Sequence, residues 1–363
     1  MKKLLVFAVA LFAIIGLTAC GGGPKEIVLI TDKGDITDKS FNQGAYEGVK
    51  AYAKENGISY GYIKPTQAAT AQYISAIEQA IADGAKVIVT PGYLFEEPIN
   101  AVQKDHPDIK FILLDGSPAN AANGTLESNV YSVFYAEEQS GFLAGYAAVK
   151  DGYRKLGFMG GMAVPAVQRF GHGFVQGAAA AALELELAAN AVSVDYLYTG
   201  DFAATPEVQA AAAAMYESGV EVIFACGGAV GQSVMAAAAS AEKKVIGVDV
   251  DQSFDSPTVI TSATKNLSQS VIQALEAIYE TNKWASEFGG VSAVLDATAD
   301  GIGLPMENSK FTTFTSADYQ TIFNKLVDGT QEVSDVIGAF GDDGSAAEQF
   351  ETTEVKVNVI AFG

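Results

Sequence analysis

GAKVIVTPG at residues 84–92 and GVEVIFACG at residues 219–227 are two versions of one phrase, set 135 positions apart. Each has a glycine where a helix should stop, an apolar run of strand length, and a second glycine on the way out. An apolar run without polar alternation suits a strand buried on both faces, which is the usual state of a parallel sheet covered by helices. The phrase has company on both sides. Phe41, Gly44 and Gly48 stand as F-x-x-G-x-x-x-G, and Phe170, Gly173 and Gly177 repeat that spacing 129 positions later. KFILLDGSP at 110–118 ends one run on Asp115, and KVIGVDVDQ at 244–252 ends another on Asp249. Landmarks recurring in one order at a nearly constant offset make an internal repeat of one α/β plan.

Around the first copy, strand-like runs at 27–31, 60–63, 87–90 and 111–114 alternate with helical patterns at 44–56 and 73–82. Two such lobes in one chain resemble the type I periplasmic binding-protein fold: α/β, with two doubly wound parallel-sheet lobes and a ligand cleft between them. Open parallel sheets bind ligands beyond the carboxyl ends of their strands, so two lobes facing each other across those ends bring the landmark residues into one cleft. The expected division is an N-terminal lobe of 26–134 and 258–290 and a C-terminal lobe of 135–257 and 291–363. It has the 257–266 strand returning to the first lobe, followed by a helix from 267 to about 282.

The N-terminus reads MKKLLVFAVALFAIIGLTAC: two lysines, an apolar run, small residues and Cys20. That order of parts is a signal peptide. Leu17-Thr18-Ala19-Cys20 resembles the bacterial lipobox, in which the cysteine is acylated and becomes the mature N-terminus. Residues 1–20 are therefore expected to be a lipoprotein signal peptide, with 21–25 a short tether and lipid on Cys20 replacing a transmembrane helix.

Net charge is −21, from 43 acidic and 22 basic residues. Such a surface repels phosphate backbones, so no nucleic acid partner is expected. Cys226 is then the one cysteine left in the folded part and reads as a small apolar residue at a strand end. His106 and His172 stand far apart with no second His or Cys beside either, which gives no zinc pattern. There is no G-x-S-x-G, no G-x-x-x-x-G-K-[ST] and no H-E-x-x-H. No metal, no cofactor and no enzymatic activity are expected. Paired carboxylates keep a nucleoside hydrolase as the enzyme alternative, separated by substrate turnover.

The segment TDKGDITDKSFNQG at 31–44 lies between the first strand and the first helix. Asp38 or Ser40 can cap that helix. Capping leaves Phe41 unexplained, because a ring in a strand-to-helix loop needs something to pack against. Here the chain resembles the basic membrane protein family, the PnrA-like nucleoside-binding lipoproteins, in DKGDITDKSFNQGAYEG. Further similarity runs through 129–148, 157–177, 222–234, 245–253 and 259–266, within a span of roughly 26 to 330.

The resemblance implies a membrane-anchored, extracytoplasmic, monomeric substrate-binding lipoprotein of an ABC importer. It would capture nucleosides, purine nucleosides first, and deliver them to the permease and ATPase subunits. It implies stacking rings for the base, with carboxylates and a lysine for the ribose. Carried over by position, Phe41 and Asn42 belong to the base end with Asp32 and Asp115 nearby, and Phe224, Gly228, Asp249 and Lys265 complete the site. The glycine loop after Phe224 is one residue shorter than the family's usual run. Phe224 is therefore either ring or strand core, and Phe170, the counterpart of Phe41 in the repeat, is the rival for the second ring. Arg169 beside it can bond ligand or pair with an acid across the cleft. Asp115 and Asp249 have a plain reading too, as loop carboxylates at strand ends. A sugar-binding or a sensory lipoprotein of the same fold is the other alternative.

Overall fold

The computed structural model describes residues 23–335 and 354–363. Cys20, the leader at 1–20 and the first residues of the tether lie outside the described residues.

Five parallel strands open the first lobe: β1 (Ile27–Ile30), β2 (Tyr60–Ile63), β3 (Val87–Pro91), β4 (Lys110–Leu114) and β5 (Val130–Tyr135). The helices α1 (Phe41–Glu55), α2 (Thr70–Ala82) and α3 (Glu96–Val102) connect them, and α4 (Glu137–Lys150) follows. The second lobe repeats the plan with β6 (Lys155–Gly160), β7 (Val192–Tyr198), β8 (Val222–Cys226), β9 (Lys244–Asp249) and β10 (Val259–Lys265). Its helices are α5 (Pro165–Glu184), α6 (Pro206–Glu217) and α7 (Val230–Ala241), followed by α8 (Leu267–Tyr279). Three short strands complete the sheets: β11 (Val291–Leu295), β12 (Ile302–Gly303) and β13 (Val355–Val359), with α9 (Ser316–Val327) among them.

The sheet orders make the repeat explicit. The first runs β11-β5-β4-β3-β1-β2 and the second β12-β10-β9-β8-β6-β7-β13. Stripped of edge strands, each is a 2-1-3-4-5 sheet, whose switch point lies between its first and third strands. Runs such as IVLI in β1 and VIFAC in β8 are buried throughout, as strands covered on both faces must be. Gly84 (φ +102°) and Gly219 (φ +106°) sit just past α2 and α6 in a conformation that suits glycine. The amides that follow them turn back on the helices, Ala85 N–H to Ala80 O and Val220 N–H to Met215 O.

One part of the expected division is corrected. The strand at 259–265 does not return to the first lobe: it pairs in parallel with β9, from Val259 opposite Val245 to Thr264 opposite Asp249. The chain crosses after Lys265, and the helix that follows, α8, packs on α1 of the first lobe. β11 also belongs to the first sheet, where Val291–Leu295 pairs with β5, so that lobe runs on to Leu295. The cause is the symmetry of the repeat. Each lobe keeps its fifth strand and sends the next helix across, α4 against α5 and α8 against α1.

Glycines let α4 and α5 touch backbone to backbone. A Cβ on Gly141 would stand 2.1 Å from the Phe170 carbonyl oxygen, and one on Gly173 would stand 1.9 Å from that of Glu138. Gly145 and Gly177 repeat the arrangement against Phe174 and Phe142. The sequence landmark F-x-x-G-x-x-x-G is thus a helix-packing device, and it fixes Phe170 relative to the start of α4.

Candidate functional site

A cleft of about 660 Å³ lies between the carboxyl ends of the two sheets. Its walls are centred on the loops after β1 and β3 in one lobe and after β6 and β8 in the other, the switch points of both sheets, and are completed from the ends of the neighbouring strands. Asp32, Phe41, Asn42, Asp115, Phe170, Gly228, Asp249 and Lys265 all line it.

The loop after β1 is organised around Asp38. Its carboxylate accepts N–H bonds from Ser40 (2.9 Å), Asn42 (3.0 Å) and Gln43 (3.1 Å), taking up the free donors at the start of α1. Of the two capping candidates, Asp38 does the work, and the Ser40 hydroxyl is released to donate to Asp249 Oδ2 across the cleft. Asn42 is spent on the same loop. Its amide donates to Asp32 Oδ1 (2.9 Å) and Asp38 Oδ2 (3.0 Å), while its oxygen accepts from Asp32 N–H (3.3 Å). Asn42 therefore clamps the wall it lines. Asp32 Oδ1 also accepts from Gly34 N–H at 2.8 Å, and burial pushes the Asp32 carboxyl up to about 6.

Asp115 and Asp249 occupy matching places. Asp115 follows β4 and Asp249 ends β9, both in the left-handed region, with φ of +54° and +67°. Lys265, from the end of β10, donates to Asp115 Oδ2 and stands 2.8 Å from Glu137 Oε1. Glu137, the first residue of α4 and wholly buried, also accepts from Arg169 Nε at 2.6 Å. Two cations thus meet two carboxylates in a dry setting where each strengthens the other. Burial works against the Glu137 charge, yet Lys265 and then Arg169 outweigh it and hold that carboxyl below its usual range. Burial likewise opposes the Lys265 ammonium, and Asp115, Glu137 and Asp249 together hold it protonated. Asp115 Oδ1 has no hydrogen-bond partner, and burial pushes that carboxyl up to about 7. Burial raises Asp249 as well.

The Lys265 ammonium lies between rings, 4.9 Å from the centroid of Phe41 and 5.4 Å from that of Phe170. Phe41 belongs to the first lobe and Phe170 to the second, so the repeat supplies one ring from each side. Phe224 is corrected: it is wholly buried in β8 and does not line the cleft. It packs instead among Phe174 (5.3 Å between centroids), Phe158 (5.5 Å) and Phe170 (5.8 Å). A ring held by aromatic neighbours on several sides is strand core.

Three contributors escaped the sequence reading. Phe202, in the loop after β7, lines the cleft against the glycines of both neighbouring loops. A Cβ on Gly161 would come within 2.4 Å of its ring, and one on Gly228 within 3.4 Å of its Cβ. The glycine-rich loop is thus the bed of a ring. Gly200-Asp201-Phe202 carries the same signal as Phe41, an aromatic where a strand gives way to a helix. Glu137 and Lys33 gave no comparable signal, because their partners are far away in sequence. Cys226 is a buried free thiol at the end of β8, as expected. No cluster of metal-ligating side chains occurs among the described residues.

Residues 25–335 match the family of PnrA-like ABC transporter substrate-binding proteins. The chain belongs to that family. The nucleoside-binding protein BmpA of an ABC transporter of Lactococcus lactis subsp. cremoris is 30% identical over 347 residues, 85% of this chain and 93% of the relative. Among solved structures, an ABC transporter solute-binding protein from Aeropyrum pernix K1 superposes with a TM-score of 0.75 at 22% identity, covering 90% of this chain and 97% of the other. One from Conexibacter woesei does so with a TM-score of 0.65 at 25% identity, covering 85% and 98%. The family is one of substrate-binding proteins rather than enzymes, and its fold is the type I periplasmic one. No helix among the described residues is long and apolar enough to cross a membrane.

Proposed function

We propose that this protein captures purine nucleosides outside the cytoplasmic membrane, as a monomer held by lipid on Cys20, and delivers them to the permease and ATPase subunits of its importer. The observation that carries the reading is the pairing of apolar and polar walls. Phe41 and Phe170 face the cleft from opposite lobes, and Lys265 lies between them with Asp115 and Asp249 close by. A base is a flat π-surface that stacks on rings, and a vicinal diol donates two hydrogen bonds to a carboxylate. Asp115 Oδ1, buried without a partner, is suited to a ligand hydroxyl. The name of the Lactococcus relative points the same way.

Calorimetry on protein lacking residues 1–20 tests the ligand, using inosine, guanosine, adenosine, cytidine and ribose. A purine nucleoside should bind with about −8 kcal/mol or better, and free ribose far more weakly. Saturable binding of ribose alone would make this a sugar receptor. Release of free base would make it a hydrolase. The anchor is tested by detergent partitioning of the full chain, where Cys20→Ser should leave the detergent phase.

A further inference from the structure

Two partly exposed ion pairs join the lobes, Lys39 to Asp255 (3.1 Å) and Lys33 to Asp201 (3.1 Å). Only the second lines the cleft. Lys33 belongs to the loop after β1 in the first lobe, and its ammonium also lies 3.5 Å from Met162 Sδ of the second. Asp201 is used twice. Oδ2 takes Lys33, while Oδ1 accepts the N–H of Phe202 at 2.6 Å. The Phe202 carbonyl in turn accepts from Ala229 N–H at 3.0 Å, tying the same residue to the loop before α7. A cation of one lobe therefore rests on the carboxylate that accepts the backbone N–H of a cleft-lining residue of the other. Other contacts between the lobes lie deeper, Ser40 with Asp249 and Lys265 with Asp115, while Gln252 Nε2 donates to the Lys39 carbonyl at 2.7 Å beside the other ion pair. Lys33 is 28% exposed and Asp201 58%, which puts this pair at the rim.

We propose that Lys33 and Asp201 form a latch at the mouth of the cleft, joining the lobes and fixing Phe202 on its glycine bed, so that the pair sets how long a bound ligand stays. The proposal rests on the nucleoside reading for its probe. A ligand held between two lobes leaves only when they part. An exposed ion pair is weak and screened by salt, so the effect is modest and is read in the dissociation rate.

The test is release of tritiated inosine from the protein lacking residues 1–20, chased with unlabelled inosine. Lys33→Ala and Asp201→Asn should each speed release about threefold to fivefold, and the double variant no more than either one. Asp201→Ala should exceed both, because Phe202 N–H then loses its acceptor too. Raising salt should speed release from the parent protein and leave Lys33→Ala unchanged. Release from Lys33→Ala at the parent rate, or single effects that multiply in the double variant, overturns the latch. If inosine does not bind, the nucleoside reading fails and the latch is read in the empty protein. Spin labels on Lys104→Cys and Glu242→Cys should then report a wider spread of lobe separations in Lys33→Ala than in the parent, and an unchanged spread overturns it.

Discussion

Asp115 and Asp249 are the same residue in two copies of one plan, and they are satisfied in opposite ways. Both close a fourth strand in the left-handed region, and both turn a carboxylate into the cleft. Asp115 of the first lobe meets a lysine from the second, and Asp249 of the second meets a serine hydroxyl from the first. A doubled fold therefore does not make a doubled site. The repeat sets where the acids stand, and the elements crossing between lobes decide whether each faces a charge or a dipole. The difference also divides labour. Lys265 keeps Glu137 as a second partner within its own lobe, so the cation stays fixed when the lobes part, whereas Asp249 then loses the Ser40 hydroxyl.

The comparison breaks hardest at Glu137, the group that makes the two sides unequal. Removing it leaves Arg169 only the longer contact to Glu138 (3.9 Å) and Lys265 only Asp115 as an ion-pair partner, in an interior where a poorly paired charge is expensive. Glu137→Ala should cost about 3–5 kcal/mol of stability in urea denaturation, while Asp249→Ala, which breaks one neutral donor's bond to a carboxylate, should cost about 1 kcal/mol. Equal losses for the two variants would mean that the buried charge chain carries no special weight.

Affinity should sharpen the contrast from the other direction. Asp249→Ala is expected to cost about 2–4 kcal/mol of nucleoside binding, because the ligand's hydroxyls lose a charged acceptor in a desolvated cleft. A 2′,3′-dideoxynucleoside lacks those hydroxyls, so parent and variant should bind it equally weakly, closing a cycle between residue and ligand. Undiminished binding of the parent nucleoside by Asp249→Ala would make Asp249 structural and move the ribose contact to Asp115.

Most of the strand order could be read from the repeat, and more of it was available than was used. The 129-residue offset that carries Phe41 to Phe170 also carries Val130 to Val259, the first residues of β5 and β10. It therefore marked β10 as the fifth strand of the second lobe. β11 gave no such sign. A five-residue run that is alternately half-buried and exposed does not announce which sheet edge it joins. In the cleft, Phe41, Asp115, Phe170 and Asp249 followed from position in the plan. Phe224 was placed by motif, and only packing among three other rings showed it to be core. Glu137 could not be found because its worth lies wholly in partners that the fold brings from other elements.

Asp32 gives the smallest effect and the cleanest sign. No cation among the described residues pairs with it: Gly34 and Asn42 donate to it, and burial still pushes it up to about 6 from an ordinary 3.8. Asp115, by contrast, has Lys265 against it. A carboxyl whose pKa is higher folded than unfolded binds its proton more tightly in the folded state. Its contribution is then fully present below about 4 and is lost as pH rises through about 6. Asp32→Asn keeps an oxygen for both donors and removes the titration. The parent should lose stability relative to the variant between about pH 4 and 6, with the gap levelling off at about 1–2 kcal/mol by neutral pH, smaller than the full shift implies because the residue is partly open to water. Denaturant midpoints measured across that range decide it. A variant less stable than the parent at neutral pH would mean that the ionised Asp32 is held by something stronger than its two donors, and the asymmetry between charged and uncharged acids in this cleft would then need another cause.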